Sequence, residues 1–211
     1  MRFISLMSGG IDSPVSTYLM LKKGVEVLIL NMDSRPLGGD DEAEKVNELW
    51  KHLEGMFPGK VGLIRGKHGL LLSSFRDHAN PKYTCVLCKR SMLKVADRLC
   101  DRYGAEGIIM GDSLGQVASQ TLKNLAVVSQ GVKHPILRPL IGFDKLDIEK
   151  IAKETGTFEI SIRRTTGCLA APKYPITKAE LSRVEEESEK GMMEEVIEEV
   201  LSSIEEVRVF R

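Results

Sequence analysis

The 211-residue sequence predicts an α/β fold: a five-stranded parallel sheet with helices on both faces. Three observations lead there. Short β-rich apolar runs bounded by turn residues recur along the chain, and stretches with helical spacing lie between them. Strand and helix in alternation are joined by crossovers that lay the strands parallel and cover the sheet on both sides. The length suits one substantial core, so one domain with a tail is expected rather than two domains.

In chain order, the expected strands are Phe3 to Met7, Val25 to Leu30, Val61 to Ile64 and Gly107 to Met110, with a fifth at Ile136 to Arg138. Helical patterns fall at Ser13 to Lys23, Asp41 to Phe57, Cys88 to Tyr103, Ser119 to Val128 and Lys145 to Thr155. The Glu-rich stretch from Lys178 to Glu206 reads as two helices broken near Gly191. The domain is thus expected over 1–176, with an acidic helical extension over 177–211 serving packing, subunit contacts or exclusion of RNA. Parallel sheets bind ligands beyond the carboxyl ends of their strands, where strand order reverses, so the loops after Met7, Leu30 and Met110 should form the site.

A hydrophobic fraction of 42% with 28% charged residues is that of a globular protein, and no apolar run is long enough to span a bilayer. Gly9-Gly10-Ile11-Asp12 interrupts the opening apolar stretch too early for a signal peptide, so a cytoplasmic location is expected. The net charge of zero hides an uneven distribution. Eleven Glu against Arg183 and Lys190 lie between Glu180 and Glu206, leaving 28 basic and 19 acidic residues elsewhere. Such a basic body suits a polyanion such as RNA, and equally a solvated surface.

Immediately after the first strand stands Ser8-Gly9-Gly10-Ile11-Asp12-Ser13, followed by Pro14 in the first turn of a helix. Glycines let the backbone approach an anion, a helix N-terminus offers unpaired amides, and Ser8 and Ser13 add hydroxyls. Asp12 beside phosphates requires a cation such as Mg²⁺ between them. The loop lacks the Lys of a Walker A motif and the spaced glycines of dinucleotide folds. A second polar, Gly-bearing turn, Gly111-Asp112-Ser113-Leu114-Gly115-Gln116-Val117-Ala118-Ser119-Gln120-Thr121-Leu122, follows the fourth strand at the same sheet edge.

Cys85 and Cys88 form a close pair at a helix entrance, and Cys168 lies in Thr166-Gly167-Cys168-Leu169-Ala170-Ala171-Pro172. Helix N-termini and nearby cations favour thiolates, and Lys89, Arg90, Arg163 and Arg164 are close in sequence. Cys100 shares a helical face with Leu93, Ala96 and Tyr103 and reads as a core thiol. For the other three cysteines the residues leave three readings open. These are a zinc site completed by His78 or Cys100, a redox dithiol of Cys85 and Cys88 with Cys168 supplying or resolving a persulfide, and an iron–sulfur cluster with one open iron. The spacing of His52, His68, His78 and His134 identifies no catalytic base.

The first loop resembles the SGGxDS motif of the PP-loop ATP pyrophosphatases, which have a Rossmann-like fold and split ATP between its α and β phosphates. Together with Cys88-Lys89-Arg90-Ser91-Met92, the Gly111 turn and Leu137-Arg138-Pro139-Leu140-Ile141, it is similar to the catalytic domain of the tRNA 4-thiouridine synthetase family, ThiI, from about Arg2 to Ala179. The resemblance implies an ATP-dependent sulfurtransferase that adenylates a carbonyl oxygen of tRNA uridine 8 and replaces it with sulfur. By the same resemblance Leu6, Met7, Asn31 and Met32 line the adenine side, Ser8, Gly9, Gly10, Asp12 and Ser13 hold phosphate, and Lys89, Gly111 and Gln120 complete the ATP pocket. Asp112 is a metal or substrate contact.

Archaeal-type members of the family carry a two-cysteine motif and a later third cysteine that match Cys85, Cys88 and Cys168. That favours a 4Fe-4S type cluster, with zinc or no cluster as alternatives. Full-length members place an RNA-binding THUMP region before the catalytic domain, and bacterial relatives often add a rhodanese domain. Here the first strand begins almost at Met1 and no room remains for rhodanese. The expectation is therefore tRNA bound through a separate THUMP-containing subunit, an external sulfide or persulfide donor, and a homodimer. Sulfur or nitrogen transfer to a small metabolite, and a non-catalytic nucleotide-binding subunit, are the competing readings.

Overall fold

The structure is a computed structural model and describes residues 1–117 and 120–210. Strands β1 (Arg2–Leu6), β2 (Glu26–Met32), β3 (Val61–Gly66), β4 (Ile108–Ile109) and β5 (Ile136–Leu137) pair in parallel. Helix α1 (Asp12–Leu21) follows β1, α2 (Asp40–Met56) follows β2, and α3 (Gly69–His78) follows β3. Next come α4 (Thr84–Tyr103), α5 (Leu122–Val128), α6 (Lys145–Glu154), the short α7 (Phe158–Ser161), α8 (Leu181–Lys190) and α9 (Met193–Ser202).

The five expected strands are present, and a sixth, β6 (Glu205–Arg208), pairs antiparallel with β3. The sheet order is β5-β4-β1-β2-β3-β6, so it is mixed and six-stranded rather than purely parallel and five-stranded. Four helices also differ from expectation, among them α7, where none was expected. No helix was expected where α3 lies; α4 begins a turn before Cys88; and α5 begins at Leu122, while Ser119, its expected start, lies outside the described residues.

Alternate residues of each strand feed different cores, which is why the strands read as continuous apolar runs. Ile4, Leu6, Leu28, Leu30 and Ile64 join residues of α3, α4, α8 and α9 in one cluster. Phe3, Val27, Ile29, Val61 and Leu63 join Val46, Leu49 and Leu53 of α2 in the other.

The acidic C-terminal helices belong to that packing. Val184, Met193, Ile197, Val200 and Leu201 are buried against the first core, while Glu194 and Glu198 pair outward with Lys94 and Arg98 of α4. Gly191 separates the two helices, as expected, and its carbonyl accepts from Ser74 Oγ at 2.8 Å.

Asp97 of α4 ties down the turn entering β5. Its carboxylate accepts from the amides of Lys133 and His134 and from His134 Nδ1 at 2.8 Å. Burial alone would raise this carboxyl's pKa, but the hydrogen bonds from His134 and Lys133 outweigh it and hold the group below its usual range. Asp97→Ala should cost roughly 2 kcal/mol near neutral pH by urea unfolding. Because the folded pKa is depressed, that contribution is complete above the unfolded value of 3.8 and vanishes as pH falls through the folded one. The wild-type and variant midpoints should therefore converge in acid.

Candidate active site

From β1 the chain steps outward to β2 and β3, then returns to the other side of β1 for β4 and β5, so strand order reverses between β1 and β4. A cavity of about 340 Å³ opens at that reversal, within the size range of small-molecule sites. Its walls are the ends of β1, β2 and β4, the first turn of α1 and the second and third turns of α4.

The Ser8 to Ser13 loop is closed by reciprocal bonds. Ser8 N donates to Ser13 Oγ at 3.0 Å, and Ser13 Oγ donates to the Ser8 carbonyl at 3.1 Å. No side chain caps the start of α1 at Ile11, so its first amides stay available to an anion. Asp12 opens α1 and lines the cavity. Burial raises its pKa, Lys145 opposes that shift, and the Asp112 carboxylate adds to it.

The second loop touches the first. Gly111 lies so close to α1 that an added Cβ would stand 2.8 Å from the Ser13 N and Cα atoms. Ser16 Oγ donates to the Met110 carbonyl at 3.0 Å and locks the same junction. Asp112 is buried between two cations, accepting from Lys89 Nζ at 2.6 Å and from Arg138 Nε at 3.0 Å. Its carboxylate thereby aims Lys89 along the cavity wall. Gln120 is buried and also lines the cavity, and its Oε1 has no partner among the described residues.

Of the expected nucleotide-binding residues, Leu6, Met7, Ser8, Gly10, Asp12, Ser13, Asn31, Met32, Lys89, Gly111 and Gln120 line this one cavity. Gly9 does not; it packs on the Lys45 stem, where an added Cβ would meet Cδ at 2.8 Å. Lys45 in turn donates to the carbonyls of Ser161 and Arg163, at the start of the segment that bears Cys168. That segment is clipped to α2 by Thr166 N donating to Asp41 Oδ2 at 2.9 Å and by the Arg163–Glu48 ion pair.

Cys88 and Cys168 line the cavity beside Lys89. Cys85 lies one helical turn before Cys88 on α4, outside the lining, and is half-buried. Burial first, and the Cys168 sulfur second, push both α4 thiols up, Cys88 to about 12. Lys89 favours both thiolates, as expected of a basic neighbour, but burial outweighs it. Arg90 turns away to the Val127 carbonyl, Arg163 is spent on Glu48, and Lys89 is shared with Asp112. Cys100 is fully buried, as expected of a core thiol.

Neither histidine-based nor cysteine-based completion of a zinc set follows the expected lines, since His78 is exposed at the end of α3 and Cys100 faces the core. Among the described residues no three His, Cys, Asp or Glu groups converge closely enough to hold a single metal ion. The histidine beside the cysteines is instead His68, with Nε2 3.1 Å from Cys88 Sγ, and burial drives its pKa down to about 4. Ser34, Glu42 and His68 are the polar lining residues that sequence reasoning missed. No helix of the described chain is long and apolar enough to cross a membrane.

A switch-point cavity with an uncapped glycine turn, a lysine set by a buried carboxylate and two cysteines defines a nucleotide-site α/β protein of the PP-loop class. Residues 1–193 match the family model described as Thiamine biosynthesis protein (ThiI), and the chain belongs to that family. It is 46% identical over 205 residues to a "Probable tRNA sulfurtransferase" of Methanobrevibacter smithii, covering 96% of this chain and 54% of that one. A protein of the same name from Methanothermobacter thermautotrophicus is 42% identical over 99% of this chain and 54% of its own.

Among solved structures, "Crystal structure of a 4-thiouridine synthetase - RNA complex with bound ATP" superposes with a TM-score of 0.90 at 33% identity, over 97% of this chain and 54% of that chain. The NMN synthetase of Francisella tularensis shares the fold, with a TM-score of 0.57 at 15% identity over 95% of this chain and 86% of that one. This chain therefore spans about half the length of the curated relatives it matches.

Proposed function

We propose that this chain is the catalytic domain of an ATP-dependent tRNA sulfurtransferase that converts a uridine, uridine 8 by the family pattern, to 4-thiouridine. The observation that supports it best is convergence: the phosphate-type loop and two of the three cysteines line one cavity. Residues 1–176 form the catalytic body in this reading, and 177–211 an extension that packs on it.

The unpartnered Gln120 Oε1 suits a donor on a nucleotide base, and the uncapped amides of α1 suit phosphate. Asp12 would hold Mg²⁺ against the phosphates, and the metal would neutralise charge gathering on the leaving pyrophosphate. The uridine O4 attacks the α-phosphorus of ATP, and the bond to the bridging oxygen breaks as pyrophosphate departs. Amides of the Ser8 to Ser13 loop and the Lys89 ammonium bind that departing charge. Sulfide then adds at C4, and AMP leaves with the former carbonyl oxygen while the sulfide proton passes to solvent. Asp112 contributes by orienting Lys89 rather than by meeting substrate.

Three soft donors on a helix turn and a neighbouring segment, two of them lining the cavity, suit a 4Fe-4S type cluster held by Cys85, Cys88 and Cys168. When bound, such a group supplies a sulfur nucleophile beside the activated carbonyl. Sulfide from an external donor and tRNA presented by a THUMP-containing region, as part of a homodimer, complete the proposal.

Anaerobically purified protein should contain iron and acid-labile sulfide in stoichiometric amounts; colourless, zinc-loaded protein would sink the cluster. With ATP, sulfide, unmodified tRNA and a THUMP-containing partner, AMP, pyrophosphate and 4-thiouridine should appear in equal amounts. ATP cleavage by cluster-loaded protein without thiolated nucleoside would move the acceptor to a small metabolite.

A further inference from the structure

His68 stands at the turn from β3 into α3, only 2% exposed, and lines the cavity next to Cys88. Its Nε2 is 3.1 Å from Cys88 Sγ, while Nδ1 is buried with no partner among the described residues. A buried imidazole with one nitrogen unmatched is a poor choice for stability alone, because an apolar side chain of similar size would leave nothing unsatisfied. We infer that His68 is a positioning residue for the sulfur site, donating Nε2–H to the Cys88 sulfur whenever that sulfur is a bound thiolate.

The proton count requires this tautomer. A neutral imidazole has one N–H and one lone pair, and a ligating thiolate offers only lone pairs. The proton on Nδ1 would set two lone pairs against each other at the Nε2–Sγ contact and bury an N–H without an acceptor. With the proton on Nε2, the sulfur gains a donor and only a lone pair at Nδ1 is left over. Hydrogen bonds to a ligand sulfur draw charge from it and ease reduction of the centre it holds.

This inference rests on the cysteine site of the proposed function, and the test separates the two. Wild type, His68→Phe and His68→Gln are reconstituted anaerobically, and iron content and reduction potential are measured. His68→Phe should lower the potential at unchanged iron content, and His68→Gln, which restores an N–H, should recover most of the shift. An unchanged potential in His68→Phe overturns the inference.

If His68→Phe does not fold, wild-type protein labelled with ¹⁵N-histidine decides. A weak ¹⁵N coupling to the reduced centre is expected; no coupling, or the strong coupling of a direct ligand, overturns it. If no cluster assembles in wild type, the cofactor reading fails by itself, and iodoacetamide labelling of the cofactor-free protein tests His68. Cys88 labelling should then slow several-fold in His68→Phe while Cys85 and Cys168 keep their rates, and equal Cys88 rates overturn the inference.

Discussion

Gly111→Ala is expected to weaken ATP binding about a hundredfold, or roughly 3 kcal/mol, by isothermal titration. The new methyl would meet the Ser13 N and Cα atoms at 2.8 Å and the Asp12 carbonyl carbon at 3.0 Å. All three are backbone atoms at the point where the phosphate loop becomes α1, so no side chain can rotate to relieve the clash. The Ser16 hydroxyl bonded to the Met110 carbonyl keeps the helix and the end of β4 from separating. The displacement must therefore pass into the loop whose amides meet the anion. Global stability should fall much less than binding, by about 1–3 kcal/mol. Affinity within twofold of wild type would show that the loop absorbs the methyl without losing its anion geometry.

Asp112→Ala should destabilise the fold by about 3–5 kcal/mol in urea unfolding, because it leaves two poorly exposed cations unpaired. Asp112 has 3% of its side chain exposed, and its partners Lys89 and Arg138 have 13% and 17%. Arg138 keeps one hydrogen bond, to Ser129 Oγ, but Lys89 is left facing the cavity alone. An anion can take the place of the lost carboxylate. Saturating ATP or pyrophosphate should thus raise the unfolding midpoint of Asp112→Ala more than that of wild type. A variant as stable as wild type, with the same response to pyrophosphate, would mean that the triad does no structural work.

These two positions mark how far the site can be read from one chain. The SGGxDS loop was legible because its residue types are those an anion demands at a strand-to-helix turn, and the structure seats most of it in the cavity. Gly111 was legible as part of a second polar turn, but its contact with Ser13 depends on β1 and β4 being neighbours. Asp112 was read as a metal or substrate contact; it lines the cavity, and its partners Lys89 and Arg138, remote in sequence, also make it the anchor of a cationic pair. His68 gave no signal as a lone histidine, and only the packing of the β3–α3 turn against α4 brings it to Cys88.

The elements follow the same division. Five strands and most helices were visible as apolar runs and helical spacing, because burial on both sheet faces writes itself into composition. α3 escaped because it starts at His68-Gly69 with no side-chain cap to announce it. β6 escaped because all four of its residues are exposed and polar spacing hides an edge strand. It is held by backbone pairing to β3 and by ion pairs such as Arg65–Glu205.

By itself, then, the sequence determined the α/β architecture, the anion loop and the presence of three cysteines outside the core, since each is fixed by local residue type and spacing. The tertiary structure alone decided the sixth strand, the Lys89–Asp112–Arg138 triad, the elevated thiols of Cys85 and Cys88, and the histidine against Cys88. Those depend on burial and on distances between residues far apart in the chain, which the order of amino acids does not display.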